Sequence, residues 1–114
     1  MTLIDMKDFH LPIFSEDITN EQISDSAKEL KKMFMETDGF IFTCPEYNGT
    51  MTPLLNNLCA WMSRPFSKDE PMYAAFKGKF AMVASTSPGG ACVAVIRASE
   101  GLLACPPVCF SACL

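Results

Sequence analysis

No apolar run in this chain comes near the ~20 residues that a membrane-spanning helix requires. The amino terminus carries Asp5, Lys7 and Asp8 where a secretory signal would be apolar, so a soluble, cytoplasmic chain is expected. Basic residues are also scarce: Lys and Arg number 9 against 13 Asp and Glu, for a net charge of −4. That balance supplies no electrostatic footprint for nucleic-acid phosphates or an anionic membrane surface, and neither is expected as a partner. Histidine is reduced to His10, which adjoins no Ser or Cys elbow, so no nucleophile–base pair for hydrolysis can be assembled. Cysteine, by contrast, is not scarce. The six thiols come without a secretory signal, and Cys44, Cys59 and Cys92 lie inside apolar segments, which favours reduced, buried side chains over disulfides.

What is present is an alternation of periods. At 114 residues the chain makes a single domain with one modest core, burying roughly 65% of its unfolded surface. Residues 1–5 read as the end of a strand, and 9–14, with Pro12, as an irregular apolar loop. Thr19 and Gln22 match a capping box. Ile23, Ala27, Leu30, Met33 and Phe34 then follow at helical spacing until Gly39 offers a stop. Gly39 to Cys44 is short, β-branched or aromatic and almost wholly apolar, which suits a parallel strand covered on both faces. Thr52-Pro53 is a good N-cap and first-turn pair for a helix over 53–63. A polar connection with Pro71 and Gly78 leads to a second apolar strand at 80–84, a small-residue loop at 85–90 and a helical composition over 91–103. The last eleven residues could add a short final strand. The order strand, helix, strand, helix, strand, helix argues for right-handed βαβ units: an α/β fold with a parallel sheet and helices on both faces.

In open α/β sheets ligands bind beyond the carboxyl ends of the strands. Two segments fall there. Pro45-Glu46-Tyr47-Asn48-Gly49-Thr50 follows the first apolar strand and combines a carboxylate, a phenol and an Asn-Gly pair suited to positive φ, groups that could hold a planar heterocycle. A solvent turn of ordinary residues is the alternative. Ser85-Thr86-Ser87-Pro88-Gly89-Gly90 follows the second strand, and its small residues let backbone amides approach a ligand. Consecutive parallel strands end on one edge, so the two loops should be neighbours. Cys105, Cys109 and Cys113 recur every fourth residue, which could gather three thiolates on a metal, but Pro106 and Pro107 oppose a helix there and the spacing fits no zinc or iron–sulfur pattern.

Asp38-Gly39-Phe40-Ile41-Phe42, Pro45-Glu46-Tyr47-Asn48-Gly49-Thr50, Pro53-Leu54-Leu55-Asn56-Asn57, Trp61-Met62-Ser63-Arg64-Pro65 and Ser87-Pro88-Gly89-Gly90, in this order, resemble the NADPH-dependent FMN reductase family over about residues 1–100. The resemblance implies a flavodoxin-like three-layer fold that binds FMN, forms a dimer or tetramer, and takes hydride from NADPH or NADH for quinones, free flavin, azo dyes or metal ions. By position, Pro45, Glu46, Tyr47, Asn48 and Gly49 would line the isoalloxazine and ribityl groups, with Ser85, Ser87, Gly89 and Gly90 bordering the ring.

The pattern also departs from the family. Members open with a strand and a Gly-Ser-x-Arg-x-x-Ser-type loop that cradles the FMN phosphate, and this sequence contains no such loop. Losing at least three charge-assisted hydrogen bonds to a phosphate would weaken FMN binding by roughly 4–9 kcal/mol. The missing first strand would lie centrally in a 2-1-3-4-5 sheet, leaving an edge unpaired. The resemblance fades beyond Arg97. The expectation is a partial flavodoxin-like domain over 1–114, truncated at both ends: an FMN-dependent oxidoreductase or, alternatively, a non-catalytic remnant that pairs with a complete homologue.

Overall fold

The structure is a computed structural model that describes residues 1–85 and, as strand backbone, 109–113. Three parallel strands, β1 (Gly39–Thr43), β2 (Phe80–Ser85) and β3 (Cys109–Cys113), stand in the order β1-β2-β3. Two helices, α1 (Asp25–Glu36) and α2 (Pro53–Ser63), complete the regular elements among the described residues. The helix expected over 91–103 lies outside them.

The strand expected at residues 1–5 is not formed. Asp5 instead caps a 3₁₀ turn at Met6–Asp8, its carboxylate accepting the Lys7 N–H at 3.0 Å, and that bond holds the Asp5 carboxyl below the usual carboxylate range. The capping box at Thr19 also closes something smaller than expected. Gln22 Oε1 accepts the Thr19 N–H at 2.9 Å around a single 3₁₀ turn, Asn20–Gln22, and the α-helix starts later, where Ser24 Oγ accepts the Ala27 N–H at 3.2 Å. Two polar side chains competed for one helix start, and the one directly ahead of the apolar stripe prevailed. α2 begins as its sequence requires, with Thr52 Oγ1 accepting the Leu55 N–H and Pro53 in the first turn.

Side-chain alternation on the strands decides what each sheet face does. Phe40 and Phe42 of β1 and Val83 of β2 turn inward, where α1 and α2 cover them. Phe34 of α1 stacks on Phe40 with centroids 4.5 Å apart, and Phe76 meets both rings edge-on. Leu30, Trp61 and Met62 are among the most deeply buried side chains, each worth about 1.5–3 kcal/mol of apolar burial. Gly39 allows the close approach of the two strands: a Cβ there would stand 2.9 Å from the Phe80 backbone oxygen, so any larger residue must push β1 and β2 apart.

The helices are tied to their surroundings by lysines that the sequence pattern does not single out. Lys31, buried in α1, donates to the Met62 and Arg64 carbonyls at 2.9 and 2.7 Å, at the carboxyl end of α2 where positive charge is favoured. Its Nζ also lies 2.7 Å from Glu70 Oε1, an ion pair without good hydrogen-bond alignment, while Glu70 Oε2 accepts the Phe66 N–H. Lys79 caps α1 in the same way, donating to the Phe34 and Met35 carbonyls. Burial pulls its ammonium below the ordinary lysine range, against the opposing charge of Asp38. The segment ahead of α1 is pinned by α2: Asn57 Oδ1 accepts the Phe14 N–H at 2.8 Å, and Trp61 Nε1 donates to the Pro12 carbonyl at 2.7 Å.

Candidate functional site

Because β1 and β2 are parallel and in register from Gly39↔Phe80 to Thr43↔Ala84, both chains leave the sheet at one edge. The ladder continues one step further, since the Cys44 N–H donates to the Ala84 carbonyl at 3.0 Å. Pro45 therefore starts beside Ser85. The expected neighbouring of the two loops holds at their origins, and Ser87, Gly89 and Gly90 lie outside the described residues.

The first loop folds back on itself. Tyr47 and Thr50 exchange both backbone hydrogen bonds, N to O, at 3.0 and 3.1 Å, and the residues between them, Asn48 and Gly49, have φ of +53° and +72°. Paired positive φ values in a two-residue turn are the I′ geometry that Asn-Gly favours. No neighbouring atom crowds Gly49, so its requirement for glycine comes from backbone conformation alone. The turn holds the Tyr47 ring out from the surface, 55% exposed, above the strand ends. Glu46, which precedes it, is half-buried.

Cys44 is buried, and burial pushes its thiol pKa up, partly offset by a hydrogen bond with the Thr52 backbone. That contact joins the end of β1 to the N-cap of α2. Sequence reading overlooked this role of Cys44 and Thr52, because nothing in their identity separates a thiol under a site from a thiol in a core. Ser85, buried at the end of β2, keeps an Oγ with no hydrogen-bond partner among the described residues. An unpaired buried hydroxyl costs about 1–3 kcal/mol, and such groups concentrate where a ligand completes the bonding. With an exposed aromatic ring on the turn after β1 and an unsatisfied hydroxyl at the end of β2, the residue types present fit a planar, polar-edged heterocycle.

The cysteine series at the carboxyl terminus resolves differently. β3 places Cys109 opposite Ala81 and Cys113 opposite Ser85. Four residues of parallel strand separate their Cα atoms by roughly 13 Å, too far for both to ligate one metal.

The profile of the family described as NADPH-dependent FMN reductase matches residues 1–107. The chain belongs to the NADPH-dependent FMN reductase family. Among curated relatives of this family, it is 29% identical over 87 residues to a 2-hydroxy-1,4-benzoquinone reductase from a Burkholderia species, covering 76% of this chain and 44% of the relative. It is 33% identical over 79 residues to a quinone reductase of Pseudomonas putida, covering 69% of this chain and 40% of the relative. Among solved structures, FerB from Paracoccus denitrificans, a flavoenzyme NAD(P)H:(acceptor) oxidoreductase, superposes with a TM-score of 0.71 at 28% identity over 91% of this chain and 53% of FerB. The NADH:FMN oxidoreductase EMOB, in its apo form, superposes with a TM-score of 0.53 at 21% identity over 78% of this chain and 46% of EMOB, a likeness of fold. The chain thus spans about half the length of the proteins it matches, and the flavodoxin-like α/β class expected from its motifs is the fold it has.

Proposed function

We propose that this chain holds the isoalloxazine ring of FMN between the Pro45–Gly49 loop and the loop that starts at Ser85, and acts as a flavin-dependent NAD(P)H oxidoreductase toward quinones or free flavin. The observation that carries the reading is the common origin of the two loops, tied by the Cys44 N–H to Ala84 carbonyl bond, beneath a Tyr47 ring presented by the I′ turn. Tyr47 would lie along the ring, the Asn48-Gly49 backbone would meet its polar edge, and Ser85 Oγ would gain the partner it lacks. Pro45 and Glu46 complete the first wall, with Ser87, Gly89 and Gly90 assigned to the second by motif. Bound FMN would supply the hydride chemistry that no side chain of the site can perform. This chain's residues bind and orient the ring and keep water from its inner face, and none is assigned as acid or base.

The Burkholderia and Pseudomonas relatives, named for quinone reduction, support a quinone as the acceptor. The family name supports NADPH as the donor, with NADH the alternative that EMOB's name carries. A cytoplasmic homo-oligomer is the setting we infer from the family resemblance. No helix among the described residues is long and apolar enough to cross a membrane.

The test is direct. Protein reconstituted with FMN should oxidise NADPH when a benzoquinone is added, and Tyr47→Ala should lower both flavin affinity and turnover. A chain that binds no flavin saturably, or one whose affinity is untouched by Tyr47→Ala and Gly49→Val, contradicts the assignment.

A further inference from the structure

The carboxyl end of α2 borders a second concave site. A cleft of about 440 Å³ opens between the segment ahead of α1 and the connection that follows α2. Phe14, Ile18 and Ile23 line it from the first, and Trp61, Phe66 and Met72 from the second. Phe14 and Phe66 each stand crosswise to the Trp61 indole, with centroids 5.3 and 6.1 Å from it. Clefts of roughly 300–1,000 Å³ with an apolar lining and a few polar groups are the usual seats of small organic ligands. The walls here are held in place by the protein itself. Asn57 Oδ1 accepts the Phe14 N–H, and Trp61 Nε1 donates to the Pro12 carbonyl. The carbonyls of Met62, Ser63 and Arg64 each have a donor, Lys31 Nζ for the first and last and the Tyr73 N–H at 2.7 Å for Ser63.

Two charged residues belong to the lining, Arg64 and Glu16. The Arg64 guanidinium lies 5.6 Å from the Phe14 ring centroid, and its Nη2 meets Glu16 Oε1 at 3.5 Å. The Glu16 side chain is 81% exposed, so the pair is screened by water and gives way to a better-placed anion. A guanidinium carries five donors in a planar fork that matches a carboxylate, and Glu16 engages one of them at long range. Lys31 also faces the aromatic wall, 4.8 Å from the Phe66 centroid, but Glu70 and two carbonyls already occupy its ammonium. Asp17, bonded to Ser15 beside Glu16, adds negative charge nearby. One available cation next to two acidic residues suits a monoanion better than a doubly charged phosphate.

We propose that this cleft binds a small aromatic monocarboxylate, its ring against Trp61, Phe14 and Phe66 and its carboxylate replacing Glu16 on Arg64. The site is separate from the candidate flavin site. Thr52, at the strand edge, and Arg64 cap opposite ends of α2, whose 11 residues span roughly 16 Å at 1.5 Å per residue. The proposal does not depend on flavin binding.

Trp61 is the one tryptophan of the chain, so its indole N–H gives a single reporter resonance in a nitrogen–proton correlation spectrum. The whole chain is titrated with cinnamate and, separately, with cinnamamide, which keeps the ring and removes the charge. Cinnamate should shift the Trp61 resonance saturably, with an affinity at least about tenfold above that of the amide. Arg64→Gln should abolish that preference. Glu16→Gln removes the competing carboxylate and should tighten cinnamate binding, and Tyr47→Ala should leave it unchanged. If Arg64→Gln does not fold, Glu16→Gln carries the test, since the side chain is exposed and a gain in affinity is opposite in sign to any loss of structure. No saturable shift at millimolar cinnamate, equal affinity for the amide, or a preference that a folded Arg64→Gln retains would each overturn the proposal. So would cinnamate binding that Glu16→Gln fails to tighten, or binding that Tyr47→Ala weakens, which would assign the cinnamate to the flavin site.

Discussion

The two faces of one sheet are built from neighbouring residues of the same two strands, and they behave as opposites. Phe42 and Val83 are buried and Phe40 packs against the same core under α1 and α2, while Ile41 and Met82, each one position away, and Phe80 remain exposed. Both faces carry the apolar composition of a strand designed for cover on two sides. The difference teaches that hydrophobicity in a strand records the environment it is suited to, and that a helix or another chain must supply that environment. The inner face contributes most to stability. The outer face of the described strands is exposed, and the rim where both faces end carries the candidate flavin site.

That contrast can be broken most severely at Trp61. Replacing this buried ring by Ala should cost about 3–5 kcal/mol, through the cavity and the lost bond to Pro12, and equilibrium urea unfolding would measure it. A smaller loss, about 1–3 kcal/mol, is expected from Gly39→Ala, because its Cβ meets the Phe80 backbone rather than a side chain that can move aside. Loss of parallel pairing, read by amide exchange along β1 and β2, would accompany it. Weaker still is the pH dependence contributed by Cys44. Its folded pKa is raised above the unfolded thiol's ~8.5, so its contribution is complete below that pH and is lost as pH rises through the folded value. The stability difference between the unmodified chain and Cys44→Ala should shrink from pH 8 to 10 on that account. Least affected should be Phe80→Ser on the outer face, within ~0.5 kcal/mol of no change in stability. A large loss there would mean that the outer face is covered after all.

Much of this arrangement was legible in the sequence, because local chemistry and tertiary demand agree over most of it. Thr52-Pro53 began a helix, Gly39 to Cys44 formed a strand in both period and length, Asn48-Gly49 made the turn it favours, and the chain's end supplied a third strand. Residues 1–5 misled because Leu3 and Ile4 carry strand-like composition while Asp5 bends the chain with its own cap. Thr19 misled because its capping signal was real but closed only one turn. Lys31 and Lys79 were invisible as structural residues, since no spacing rule distinguishes a solvated lysine from one that satisfies another segment's carbonyls. At the candidate site, the residue types pointed to the strand ends, and the shared strand edge brought the origins of the two loops together. The unpaired Ser85 hydroxyl and the Cys44–Thr52 contact needed coordinates.

The proposed site predicts that ring contacts at the strand ends contribute to flavin binding. Parallel titrations of the purified protein with FMN and riboflavin, followed by the change in flavin absorbance, test it most directly. Saturable binding of both flavins, each weakened by Gly49→Val, is the predicted result. Failure of either flavin to saturate at millimolar concentration, or an FMN affinity that Gly49→Val leaves unchanged, would contradict it.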